Sequence, residues 1–78
     1  MRVTVLHFGV LRERRGTEVE ELELDGPITL AELYAQLFPP GPEGVLPIAF
    51  ARNQTYARGS EAIADGDELA FLPPVGGG

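Results

Sequence analysis

Cysteine and lysine are both absent from this chain. Without cysteine there is no disulfide, no thiolate nucleophile and no sulfur ligand for a metal. Without lysine, all six basic residues are arginines: Arg2, Arg12, Arg14, Arg15, Arg52 and Arg58. A guanidinium stays protonated and is a poor acyl acceptor, whereas a lysine amine accepts acyl groups once deprotonated. An activated acyl group on this chain would therefore meet no side-chain amine. The same bias also fits an arginine-rich or thermophilic composition. Histidine occurs once, at His7, so the usual nitrogen–sulfur zinc constellations cannot be assembled and no metal site is expected. Long apolar runs are missing too; none approaches the ~20 residues that span a bilayer. Met1-Arg2-Val3-Thr4-Val5 reads as a strand rather than a secretory signal. The expected location is the cytoplasm, with no membrane association.

What is present suits one small folded unit. The chain has 78 residues, 44% of them apolar, which is enough for one core. Twelve acids against six bases give a net charge of −6. That balance argues against nucleic-acid binding, which needs a basic face. It favours a partner with a basic docking surface, although simple solubility also accounts for it.

Alternation places a first strand over 2–8, with Val3 and Val5 on one face and Leu6 and Phe8 on the other. Residues 10–16 form a connection with one helical turn around Leu11, carrying the positive cluster Arg12, Arg14 and Arg15. A second strand covers 18–24. There Leu22 and Leu24 alternate with Glu21 and Glu23, and Val19 on the wrong parity suggests a bulge near Glu20. Thr29 with Glu32 forms a capping box, and Ile28 can staple against Leu33. Leu30, Leu33, Tyr34 and Leu37 give the helix one apolar face, and Pro39 ends it through Phe38. Residues 39–47 read as a loop. Strands follow over 47–52, with Ile48 and Phe50 inward, and over 55–57 after an Asn53-Gln54 turn. Ile63 anchors an irregular stretch, and Asp65-Gly66-Asp67 turns into a last strand over 68–72. The last strand is apolar on both faces. The order fits an α+β fold: a mixed, curved sheet of four to five strands on one main helix, with first and last strands adjacent and parallel.

No self-contained catalytic site is evident. By parity His7 lies with Val3 and Val5, as a structural residue would. Glu20 with Glu21 sits on a solvated strand and Asp65 with Asp67 in a turn, neither placed as a tuned acid–base pair. Ser60 has no histidine in a recognisable frame. The terminal glycines precede no helix, so they form no phosphate loop. Attention therefore falls on Leu72-Pro73-Pro74-Val75-Gly76-Gly77-Gly78. The prolines hold the chain extended and project it from the body. The six residues from Pro73 span at most roughly 20 Å. A frayed terminus or an added glycine run is the plain alternative.

Residues 65–78, Asp-Gly-Asp-Glu-Leu-Ala-Phe-Leu-Pro-Pro-Val-Gly-Gly-Gly, resemble the C-terminal signature of the molybdopterin synthase small-subunit family. Those proteins are sulfur carriers with a ubiquitin-like β-grasp fold. Phe8 with Leu11-Arg12-Glu13 resembles the family's first strand and turn, and Asn53-Gln54-Thr55 its middle hairpin. Leu72 departs from the aromatic found in many relatives, and the 39–47 loop matches no family pattern. The resemblance implies a β-grasp domain over 1–75 and a reactive tail over 76–78. It implies that an E1-like partner adenylates the Gly78 carboxylate with ATP, and that a sulfur donor converts it to a thiocarboxylate. The loaded tail then enters a large subunit, in a heterotetramer, and gives sulfur to the cyclic pyranopterin precursor of the molybdenum cofactor. On that reading the chain is a sulfur-donating subunit rather than an enzyme alone, and it binds no cofactor itself. Gly76 and Gly77 let partner backbone close around the thread. Phe8, Leu72, Pro73, Pro74 and Val75 would dock, with Arg12 at the rim; Phe8 reads equally as core. A carrier for thiamine, tRNA thiolation or cysteine synthesis, and a ubiquitin-like modifier, remain as alternatives.

Overall fold

The alternation of Val3, Val5 and His7 builds the first strand, β1 (Arg2–His7), whose inward side chains are all buried. The computed structural model describes residues 1–41 and 47–74. Its order continues with α1 (Gly9–Arg15), β2 (Val19–Glu23), α2 (Leu30–Leu37), β3 (Ala49–Arg52), β4 (Thr55–Ala57) and β5 (Glu68–Leu72). The five strands form one mixed sheet in the order β2-β1-β5-β3-β4. β1 and β5 pair in parallel, Val5 beside Leu69 and His7 beside Phe71; the other neighbours are antiparallel. The first and last strands are thus adjacent and parallel, as the sequence suggests.

Both helices cover one face of this sheet. Leu11 of α1 and Leu30, Leu33 and Tyr34 of α2 join Val3, Val5, Leu69 and Phe71 in a single core with Phe38 and Ile63. Each fully buried Leu stabilises the fold by about 1.5–3 kcal/mol. Phe71 lies at the centre of the aromatic packing, with Tyr34 at 5.3 Å and Phe50 at 5.7 Å between ring centroids. The capping box on α2 is complete: Thr29 Oγ1 accepts from Glu32 N–H at 3.2 Å, and Glu32 Oε1 accepts from Thr29 N–H at 2.8 Å. Phe38 closes this helix, as expected from Pro39.

Three expectations are corrected. The 10–16 connection holds a full α-helix of seven residues rather than one turn. Gly9 (φ +54°) admits the chain, Phe8 C=O accepts from Leu11 and Arg12 N–H, and Gly16 in the left-handed conformation closes the last turn. Second, β2 has no bulge. Its register runs unbroken from Arg2–Glu23 to Leu6–Val19, so Val19 faces outward, 51% exposed. Glu20 takes the inward position instead. Third, Glu20 does not share the solvated face of its strand, and Asp67, expected in a turn, is buried. Glu20 reaches His7 and Arg15, and Asp67 is buried in a hydrogen-bond network. The strands are also shorter than expected: β1 stops at His7, before Phe8, and β3 begins at Ala49.

Candidate functional site: the outer sheet face and the exit of the C-terminus

The sheet face opposite the helices carries the parity left over from the core. Across it, Val19, Leu6, Ala70, Ala51 and Tyr56 stand in register from one edge strand to the other. This row is entirely apolar apart from the tyrosine hydroxyl. The next row toward the end where β5 leaves the sheet holds Leu72 beside Ala49. The row in the opposite direction is polar: Glu21, Thr4 and Glu68. One face is thus split into an apolar half at the exit of the chain and an acidic half away from it.

The apolar half is hollowed into an open groove of 760 Å³. Phe8 and Gly9 form one wall; Leu72, Pro73 and Pro74 follow the chain out; Ala49 and Tyr56 close the other side. Phe8 is 45% exposed and Tyr56 81%. Phe8 is therefore not core, and the structure settles that alternative. The proline step begins directly where β5 ends, so the backbone departs from the groove itself. Of the residues singled out from sequence, Phe8, Leu72, Pro73 and Pro74 are brought together here. Arg12 stands on α1 beside Phe8, with Nη1 donating to Glu18 Oε1 at 3.2 Å. Val75, Gly76, Gly77 and Gly78 lie outside the described residues, as do residues 42–46 of the 39–47 loop.

Sequence reading missed Tyr56 and Gly9. Tyr56 had a signal: a large aromatic in a short hairpin, opposite in parity to Phe50. Asn53 and Gln54 both adopt positive φ (53° and 68°), which sets that hairpin's two-residue turn and hence its parity. Gly9 had none, because its role depends on Pro73, 64 positions away. A Cβ on Gly9 would lie 3.4 Å from Pro73 Cγ.

The titratable groups hold this architecture rather than do chemistry. The Arg15 hydrogen bond is the main reason the Glu20 carboxyl sits below its ordinary range; His7 adds to it, and burial opposes it. Burial alone would raise the Asp67 carboxyl. Hydrogen bonds from Ala64 N–H (2.8 Å), Asn53 (2.9 Å) and Arg52 Nε (2.7 Å) outweigh burial and hold it low. Both carboxylates stay ionised, so neither is poised to exchange a proton near neutral pH. Among the described residues, no three His, Cys, Asp or Glu side chains gather in a way that could hold a metal ion. No helix among them is long and apolar enough to cross a membrane.

Comparison with known proteins matches this arrangement to a family. The molybdopterin synthase sulfur carrier subunit of Chlamydomonas reinhardtii is 37% identical over 83 residues, covering 100% of both chains. SAMP1 from Haloferax volcanii superposes with a TM-score of 0.78 at 31% identity, again over 100% of each chain. A protein–protein complex of subunits 1 and 2 of molybdopterin-converting factor from Helicobacter pylori contains a chain matching at 30% identity and a TM-score of 0.64, with 100% of each chain covered. The fold is the ubiquitin-like β-grasp. The ThiS family model matches residues 5–78, and the chain belongs to the ThiS family.

Proposed function

We propose that this chain is the sulfur-carrier subunit of molybdopterin synthase and that its reactive atom is the carboxyl carbon of Gly78. The observation that carries this reading is the exit of the chain. Pro73 and Pro74 leave the sheet inside an exposed apolar groove walled by Phe8 and Tyr56. A partner that covers the groove receives the C-terminus at the same time. The Helicobacter relative, found in complex with its second subunit, supports a large-subunit partner of this kind. The acidic half of the same face, with Glu21 and Glu68, suits a partner that carries basic residues beside its apolar contact.

The chemistry then follows from what the chain lacks. With no cysteine, sulfur has no thiol to ride on. The Gly78 carboxylate attacks the α-phosphorus of ATP in an adenylating partner; pyrophosphate leaves and an acyl-adenylate forms. Sulfur delivered at the sulfide level displaces AMP and leaves a thiocarboxylate. In the large subunit the thiocarboxylate sulfur bonds to a side-chain carbon of the cyclic pyranopterin precursor, and the oxygen it replaces leaves that carbon as water or with the ring phosphate. Water then cleaves the acyl C–S bond and returns the carboxylate, and two such transfers make the dithiolene. The chain's own contribution is docking and delivery: Phe8, Leu72, Pro73 and Pro74 dock through the groove with Arg12 at its rim, Val75 adds an apolar contact to the partner, and Gly76 and Gly77 pass a narrow channel. Bound cofactors are not needed on this chain. The cytoplasm, where ATP and reduced sulfur donors are available, is the compartment that suits it.

The likeness to SAMP1, a small archaeal modifier protein, favours one second reading, a protein modifier joined through the same carboxyl. Incubating the thiocarboxylated chain with a molybdopterin synthase large subunit and the pterin precursor separates the two. Molybdopterin formation supports the carrier. A stable complex without product, together with Gly78 isopeptides on other proteins in cells, supports the modifier.

A further inference from the structure

Glu20 is the one acid that β2 turns toward the helices in a strand otherwise bearing acids on its solvent side. Its carboxylate joins three elements. Oε1 accepts from His7 Nε2 at 3.0 Å, at the end of β1, and from Arg15 Nε at 3.0 Å, in the last turn of α1. Arg15 also donates through Nη2 to Oε2. The His7 side chain is fully buried, and its Nδ1 has no hydrogen-bond partner among the described residues. Glu20 is therefore the hydrogen-bond partner that fixes this ring. Between His7 and Arg15 lies the β1–α1 junction, Phe8-Gly9. Phe8 walls the groove, and Gly9, at φ +54°, lies near enough to the Pro73 ring that a Cβ placed on it would be 3.4 Å from Pro73 Cγ.

Glu20, His7, Arg15, the junction and Pro73 are thus neighbours in space or in sequence, one after the next. We infer that Glu20 is a positioning residue: it locks the β1–α1 junction, the junction seats Pro73, and Pro73-Pro74 thereby leave the docking groove in one direction. Such a residue matters because delivery into a partner's active site depends strongly on placement; a shift of about 1 Å can cost on the order of a hundredfold in rate. The inference rests on the reading that the C-terminal carboxyl is delivered to a partner, but the seating of Pro73 is measurable without it.

The test compares wild type, Glu20→Ala, Glu20→Gln and Thr29→Ala. Thr29→Ala removes the α2 cap, far from the junction, and serves as a control for lost stability. NMR reads the contact directly, as a nuclear Overhauser effect between Gly9 Hα and the Pro73 ring. It should be present in wild type and Thr29→Ala and lost in Glu20→Ala. Glu20→Gln, whose amide oxygen still accepts from His7, should fall between. Single-turnover sulfur transfer at saturating large subunit should drop at least about tenfold in Glu20→Ala and stay at the wild-type rate in Thr29→Ala. A full-strength Gly9–Pro73 contact in Glu20→Ala, or in Glu20→Gln should the alanine variant not fold, overturns the inference. So does a wild-type transfer rate in a folded Glu20→Ala. If the contact behaves as stated but the wild-type chain transfers no sulfur, the carrier reading fails and the positioning role stands.

Discussion

Asp67 is a carboxylate that the fold holds ionised. It gathers Ala64 N–H, the Asn53 amide and the Arg52 guanidinium, and so ties the β3–β4 hairpin to the start of β5. Its folded pKa is depressed, so its stabilisation is fully present above the unfolded value of about 4 and is lost as pH falls through the lower folded value. Asp67→Asn should cost about 1–3 kcal/mol at pH 7, the scale of hydrogen bonds to a charged group. The gap between wild-type and variant melting temperatures should narrow on acidification below about pH 4. A gap independent of pH would rule out the ionised form as the stabilising one. The sequence shows Asp65-Gly66-Asp67 as a turn but not which acid turns inward. That choice depends on Arg52 and Asn53, which only tertiary pairing brings near. Glu20 is hidden for the same reason: its inward parity follows from an unbroken register with β1, whereas Val19 suggests a bulge.

At the scale of elements, α2 was fully legible. Its cap, apolar stripe and stop are all local, and Thr29→Ala should lower stability by about 1 kcal/mol in chemical denaturation, with no change in fold. α1 was not, because its apolar content is little more than Leu11, and seven residues form no stable helix alone. Burial of Leu11 and the Arg15–Glu20 pair hold it in place. The outer sheet face behaves differently from both helices. Its apolar row is exposed at both ends, at Val19 and Tyr56, and half-buried between them at Leu6, Ala70 and Ala51, and such exposed apolar surface is the usual mark of a partner site. Phe8→Ser and Tyr56→Ser should leave the melting temperature within a few degrees of wild type, since Tyr56 is largely solvated and Phe8 is nearly half exposed. Each should weaken large-subunit binding by about 1–2 kcal/mol or more, roughly tenfold in Kd, by calorimetry. Unchanged affinity in both variants would place the interface elsewhere. The Phe8–Leu72 half of this patch was readable from strand parity and the parallel pairing of first and last strands. The Tyr56 half needed the hairpin turn at Asn53-Gln54.

The molecule as a whole separates holding from reacting. Charged side chains on the core side, Glu20, Asp67, Arg15 and Arg52, engage one another and keep the sheet and helices in register. The opposite face presents an apolar groove, and the chain leaves through it. The tail signature in the sequence pointed to the family because it is contiguous. The nearness of Gly9 to Pro73 was invisible because the two residues are far apart in the chain. The absence of cysteine and lysine bears on the whole reading. It offers sulfur no thiol to ride on, and on the proposed reading it gives an activated acyl group no side-chain amine to react with on the same chain.

The most direct measurement compares the full chain with one lacking Gly78 in a reconstituted system of adenylating enzyme, sulfur donor, large subunit and pterin precursor. The account predicts that the shortened chain keeps the wild-type melting temperature and forms no molybdopterin. Molybdopterin formation at the wild-type rate without Gly78 would contradict it.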